Sequence, residues 1–140
     1  MSRTAAELTV GMALPAQSFP IERASLVRYA GASGDFNPIH WSQQTAESVG
    51  LPDVIAHGML TMAAAVRVVT DWLGDPGAVL SYGVRFTRPV VVPDDSVTEL
   101  SVSGAVRSIA EDRQTAEIDL TATVAGETVL ARARATVRLR

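Results

Sequence analysis

The chain has only two histidines in 140 residues, and both stand in suggestive company. His40 closes the polar stretch Ser33-Gly34-Asp35-Phe36-Asn37-Pro38-Ile39-His40, five residues after Asp35. Gly34 permits dihedrals other residues avoid, and Pro38 disfavours helix at Asn37, so the stretch reads as an ordered bend. Such a bend can aim a carboxylate and an imidazole at one volume, as acid-base chemistry requires. His57 opens the run His57-Gly58-Met59-Leu60-Thr61-Met62. A lone histidine is more often a core or capping residue. Two of them in glycine-containing apolar surroundings turn the reading toward a site, and spacing alone leaves both readings open.

The elements that must position these residues follow from periodicity. Leu14–Ile21 contains Pro15 and Pro20 and suits an edge strand. From Glu22, the residues Leu26, Val27, Tyr29 and Ala30 predict about two turns of amphipathic helix, stopped by Gly31 and the motif. Ser42 caps a short helix running to about Val49, with Gly50 and Pro52 beyond. Residues 51–56 connect this to His57. Residues 58–73 predict the long helix, apolar on most of its circumference except Arg67, Thr70 and Asp71, and therefore buried. Gly74-Asp75-Pro76-Gly77 ends it.

Strands are predicted at about 79–90, 96–109, 114–125 and 128–139, with turns at 93–95, 110–113 and 126–127. In the last hairpin, Ile118, Leu120, Ala122 and Val124 share one face, as do Ala131, Ala133, Ala135, Val137 and Leu139. A Gly126-Glu127 turn sets Asp119 opposite Arg134. An Ala125-Gly126 turn instead sets Asp119 opposite Arg132 and Glu117 opposite Arg134; both keep the apolar faces together. A buried helix followed by antiparallel strands is an α+β arrangement.

Composition narrows the function. The length fits one domain over 1–140, and 47% hydrophobic with 19% charged residues is a globular balance. A net charge of −3 offers no basic footprint for nucleic acid or an anionic membrane. The absence of cysteine excludes disulfides, thiol nucleophiles and thiolate metal sites. No apolar run approaches the ~18 residues of a membrane span and no leader pattern opens the chain, so a soluble, cytoplasmic protein is expected. Two dispersed histidines and scattered carboxylates offer too few ligands for a metal.

Gly34-Asp35-Phe36-Asn37-Pro38-Ile39-His40, preceded by Tyr29-Ala30-Gly31-Ala32-Ser33, resembles the hydratase motif of the MaoC-like family. That family comprises (R)-specific enoyl-thioester hydratases and 3-hydroxyacyl-thioester dehydratases. Ala56-His57-Gly58-Met59-Leu60 and Val84-Arg85-Phe86-Thr87-Arg88-Pro89-Val90 also resemble it, so the likeness covers roughly residues 7–140. The branch most similar is the B-subunit type of the actinobacterial (3R)-hydroxyacyl-ACP dehydratases.

The resemblance implies a hotdog fold, a sheet wrapped around the central helix, commonly paired with a second hotdog subunit in a homodimer or heterodimer. It implies Asp35 and His40 as the catalytic dyad and Gly58 as the oxyanion donor. Asn37, Ser33 and His57 fall to support of the site loop, and Tyr29 to the core or to substrate contact. Some members carry a serine two turns into the long helix that holds the carboxylate; here that position falls near Val66. Acyl-ACP, or secondarily acyl-CoA, is the implied substrate, in fatty-acid metabolism, with no cofactor and no metal. Arg85, Arg88 and Arg107 are candidates for the carrier phosphate, whereas Arg132, Arg134, Arg138 and Arg140 read as a solvated sheet face. The alternatives are a hotdog acyl-thioesterase, whose helix carboxylate could only be Asp71, and a non-catalytic partner subunit.

Overall fold

The computed structural model describes residues 3–140. Strands β1 (Ala13–Ile21), β2 (Val79–Phe86), β3 (Thr98–Ile109), β4 (Thr115–Val124) and β5 (Glu127–Arg138) form one antiparallel sheet in the order β1-β3-β4-β5-β2. Helices α1 (Arg23–Ser33), α2 (Gln43–Ser48) and α3 (Gly58–Leu73) complete the fold, and α3 touches all five strands. This is the expected hotdog arrangement. β1 lies at the sheet edge, where the missing N–H groups of Pro15 and Pro20 leave no gap in a central ladder.

α3 has the predicted bounds but not the predicted burial. Thr61, Ala65, Val68, Val69, Trp72 and Leu73 are buried against the sheet, whereas Met59 is 58% exposed and Ala63, Arg67 and Asp71 face outward. One stripe packs, and the other face of the helix is open in the single chain. Gly74 at φ 68° supplies the left-handed residue that ends the helix.

α1 runs three turns, not two. Gly31 lies within it, and the stop is Gly34 at φ 77°, whose N–H donates to Ala30 O at 2.9 Å. A helical glycine costs about 1 kcal/mol but does not end a helix; a left-handed one does. Arg23 fixes the start of α1, donating to Val92 O at 2.6 Å and to Asp53 Oδ1 at 2.7 Å. α2 has the expected cap, with Thr45 N–H donating to Ser42 Oγ at 3.2 Å.

The strand expected over 79–90 ends at Phe86. Beyond it the chain joins the connector before α3: Ile55 and Val91 form a bridge, and Ala56 N–H donates to Val90 O at 2.8 Å. The β4–β5 hairpin combines the two expected registers. Val124 faces Glu127, so the turn is Ala125-Gly126, with φ 49° and 80°, both positive as a type I′ turn requires. Two irregularities then each add a residue to β5, and Asp119 faces Arg134 after all. Arg132 at φ 49° sits in the second, which turns Ala131 out of the buried row and puts Leu130 into the core.

Candidate active site

The loop after α1 is held by its own backbone. Asp35 N–H donates to Ser33 Oγ (3.2 Å), Asn37 N–H to Asp35 Oδ1 (3.1 Å), and Ile39 N–H to Asn37 Oδ1 (3.2 Å). Asn37 thereby caps the single 3₁₀ turn Pro38–His40, with proline at its first position as the geometry favours. Trp41 Nε1–H ties the same loop to Phe36 O at 3.0 Å.

These bonds leave Asp35 Oδ2 facing His40, 3.8 Å from its Nε2. That is too long for a hydrogen bond and leaves a gap open to a third group. His40 is almost wholly buried, whereas the Asp35 side chain is 51% exposed. His40 Nδ1 lies 2.7 Å from Ile55 O, and a carbonyl only accepts, so Nδ1 carries the hydrogen and Nε2 presents its lone pair to the gap. Ile55 also donates its N–H to Ile39 O at 3.2 Å, so the connector grips the turn at two points.

His57 is not a distant second histidine. Its ring stacks on that of His40 with centroids 3.8 Å apart and planes 21° from parallel, and the Tyr29 ring lies 4.7 Å away at 59°. Its Nε2 is 3.1 Å from Asp35 O, while its Nδ1 is buried without a partner. The reading of the two histidines as dispersed is therefore corrected: ligand atoms of Asp35, His40 and His57 lie within 4.8 Å of one another. The stacking nonetheless opposes shared coordination. Lone pairs lie in the ring planes, and nearly parallel planes do not meet within the ~2.1 Å of a metal–imidazole bond.

Gly58 is the first residue of α3, where backbone N–H groups lack intrahelical partners and the helix dipole favours negative charge. No side chain caps this end. A Cβ at Gly58 would stand 2.9 Å from Phe86 Cε1, so the absent side chain lets the Phe86 ring close against the helix start. His40, Gly58, Thr61, Phe86, Arg88 and Val90 line one cavity of about 310 Å³; Asp35 does not line it.

Asp35, His40, His57, Ser33 and Asn37 thus come together, and Gly58 meets His40 across the cavity. Val66 is partly buried against the core, and the Asn37 N–H holds Asp35 Oδ1. Of the arginines, Arg107 pairs with Asp119 and Glu117, and Arg88 at the cavity meets Glu127. Asp71 lies 13 residues along α3 from Gly58, roughly 20 Å at the helical rise, and accepts from Gln17 Nε2 at 3.3 Å. Sequence reasoning missed Ile55, Thr61 and Phe86. Ile55 acts through a carbonyl, which every residue type has. Thr61 did leave a signal, a hydroxyl one turn into an apolar helix, and it donates to Gly58 O at 2.7 Å.

A family model described as MaoC like domain matches residues 5–126. The (R)-specific enoyl-CoA hydratase of Rhodospirillum rubrum is 30% identical over 111 residues, covering 79% of this chain and 74% of that protein. The 3-hydroxyacyl-thioester dehydratase X of Mycobacterium tuberculosis is 42% identical over 79 residues, covering 56% of this chain but 27% of its own length. A solved MaoC-like dehydratase superposes with a TM-score of 0.96 at 37% identity, over 99% of this chain and 43% of that one. The chain therefore spans under half the length of two of these relatives and most of the third. It belongs to the MaoC-like domain family.

Proposed function

We propose that the chain is a (3R)-hydroxyacyl-thioester dehydratase, or equally the reverse (R)-specific trans-2-enoyl-thioester hydratase, acting in fatty-acid metabolism. The observation that carries the reading is the 3.8 Å gap between Asp35 Oδ2 and His40 Nε2, beside a cavity that holds an uncapped helix start. One water or hydroxyl oxygen set to the side of the line joining the two atoms, about 2.8 Å from each, can bond both at once.

In dehydration the C2 proton passes to His40 Nε2, whose lone pair is directed there by the Nδ1–H bond to Ile55 O. The C–H electron pair is held as an enolate on the thioester oxygen by the N–H groups at Gly58, a stabilisation worth about 3 kcal/mol per donor. Collapse of the enolate forms the C2=C3 bond and expels the C3 hydroxyl. Asp35 orients that hydroxyl, which leaves as water with the proton His40 has taken. Ser33, Asn37 and His57 hold the loop.

The carrier is an acyl-ACP or acyl-CoA thioester, and Arg88, which lines the cavity, is the arginine we assign to its phosphate, exchanging its pairing with Glu127 for the ligand. A single MaoC-like domain over 1–140, paired with a second copy or a related hotdog subunit, is the working assembly; this suits a domain that matches most of one relative and less than half of longer ones. Among the described residues no helix is long and apolar enough to cross a membrane, and we place the protein in the cytoplasm. The thioesterase alternative calls for a hydrolytic carboxylate on the central helix, and the one carboxylate of α3, Asp71, lies roughly 20 Å along it from Gly58.

Crotonyl-CoA tests the reading. The wild type should bleach the conjugated enoyl-thioester absorbance without releasing thiol. Free thiol in step with the bleaching would overturn it in favour of hydrolysis.

A further inference from the structure

His57 is 2% exposed, touches both members of the proposed dyad, and keeps a polar atom with no partner. Asp35 O can only accept, so the 3.1 Å contact requires hydrogen on His57 Nε2 and leaves Nδ1 as a bare, buried acceptor. Burying an unpaired acceptor costs stability, and a phenyl ring of similar shape would remove that cost. The chain nevertheless places an imidazole here. One edge of this ring holds the Asp35 backbone, one face abuts the His40 ring at 3.8 Å, and its own backbone leads directly into Gly58. The titratable groups facing it are Asp35, His40 and Tyr29.

We infer that His57 is a positioning residue: a neutral imidazole in the Nε2–H form that fixes the gap between Asp35 and His40 while taking no proton itself. A charge on its Nδ1 would be buried with no hydrogen-bond acceptor, beside a ring that must itself become an imidazolium during turnover. A neutral ring face, by contrast, favours the cation formed on His40. The inference rests on the dyad reading for its kinetic consequence, but not for its structural one.

The two contacts can be removed separately. His57→Phe keeps a ring against His40 and deletes the donor; His57→Gln can keep a donor and deletes the ring. His57→Phe should melt at or above the wild-type temperature, yet lose about ten- to a hundredfold in kcat on crotonyl-CoA with KM within about threefold, the signature of a misplaced reacting group. His57→Gln should recover part of that kcat while melting lower. A His57→Phe protein with wild-type kcat overturns the inference. Should that variant not fold, the imidazole ¹⁵N–¹H spectrum of the wild type at pH 7 decides: hydrogen on Nε2 with bare Nδ1 at His57 supports it, and the Nδ1–H form overturns it. The spectrum also separates the two proposals, because a wild type inert toward enoyl thioesters defeats the hydratase reading while leaving the His57 assignment to be read directly.

Discussion

Two polar clusters in this molecule are built on opposite terms. On the outer face of β3, β4 and β5, Asp119 accepts from Arg134 Nε at 2.7 Å and from Arg107 Nη1 at 3.1 Å. Glu117 lies 3.8 Å from Arg107, so each of the four charges in this cluster has a partner. At the site, Asp35 and His40 stop 3.8 Å short of each other, His57 Nδ1 has no partner, and the start of α3 has no cap. The sheet cluster lies in solvent, where close pairing is cheap and contributes little. The site cluster is mostly buried, where unfilled hydrogen-bonding capacity is costly and persists only if the surroundings impose it. Capacity left open inside the protein is what a substrate can use.

That contrast can be broken by substitution. The largest effect belongs to the dyad, where Asp35→Asn and His40→Ala should each lower kcat/KM for crotonyl-CoA by about 10²- to 10⁴-fold. Next comes the helix start. Gly58 occupies the first helical position, which tolerates proline, and His57 already holds the extended φ −59°, ψ 131° that a following proline demands. Gly58→Pro should therefore keep the helix, delete one donor and lower kcat by about a hundredfold. Gly58→Ala keeps the donor and displaces only the half-exposed Phe86 ring, so its kcat should stay within about tenfold of wild type. Equal losses in the two variants would locate the defect in Phe86 packing.

A smaller effect belongs to Tyr82, which ties β2 to α3 by donating to Met62 O at 3.0 Å. Burial pushes its hydroxyl from 10.0 up to about 12. Because the folded value is raised, the folded state holds this proton longer than the unfolded chain. Stability is thus intact below about pH 10 and falls as pH rises toward 12. Tyr82→Phe should cost about 1 kcal/mol at neutral pH and remove that alkaline decline, as read by thermal melts across the range.

The smallest effect lies in the sheet cluster. Burial alone would raise the Asp119 carboxyl, but hydrogen bonds and charge from Arg134 and Arg107 outweigh it and hold it below the usual value. Its contribution is present above the ordinary carboxylate range and is lost as pH falls through the lowered value. Asp119→Asn should change stability by less than about 1 kcal/mol and leave turnover untouched.

What the sequence revealed, and what it hid, divides along the same line. The bounds of α3 were legible because glycine flanks a periodic apolar run at both ends. The hairpin register was not, because the irregularities that shift Asp119 onto Arg134 carry no residue signature; Arg132 simply bends to positive φ. Gly31 misled, since only backbone dihedrals distinguish a helical glycine from the terminating Gly34. The polar stretch 33–40 could be read as a bend from Gly34 and Pro38. The stacking of His57 on His40 could not, because it depends on the Ile55 carbonyl and the bridge to Val91, contacts made by backbone atoms that every residue shares.

The central claim is that Asp35 and His40 work as one unit across their shared gap. The most direct test is the double variant Asp35→Asn/His40→Ala beside the two singles, all assayed for crotonyl-CoA hydration with melting curves to confirm folding. The account predicts that the double variant is no slower than the worse single, because either loss already disables the pair. Losses that multiply would contradict it, as would either single variant keeping turnover within about tenfold of wild type.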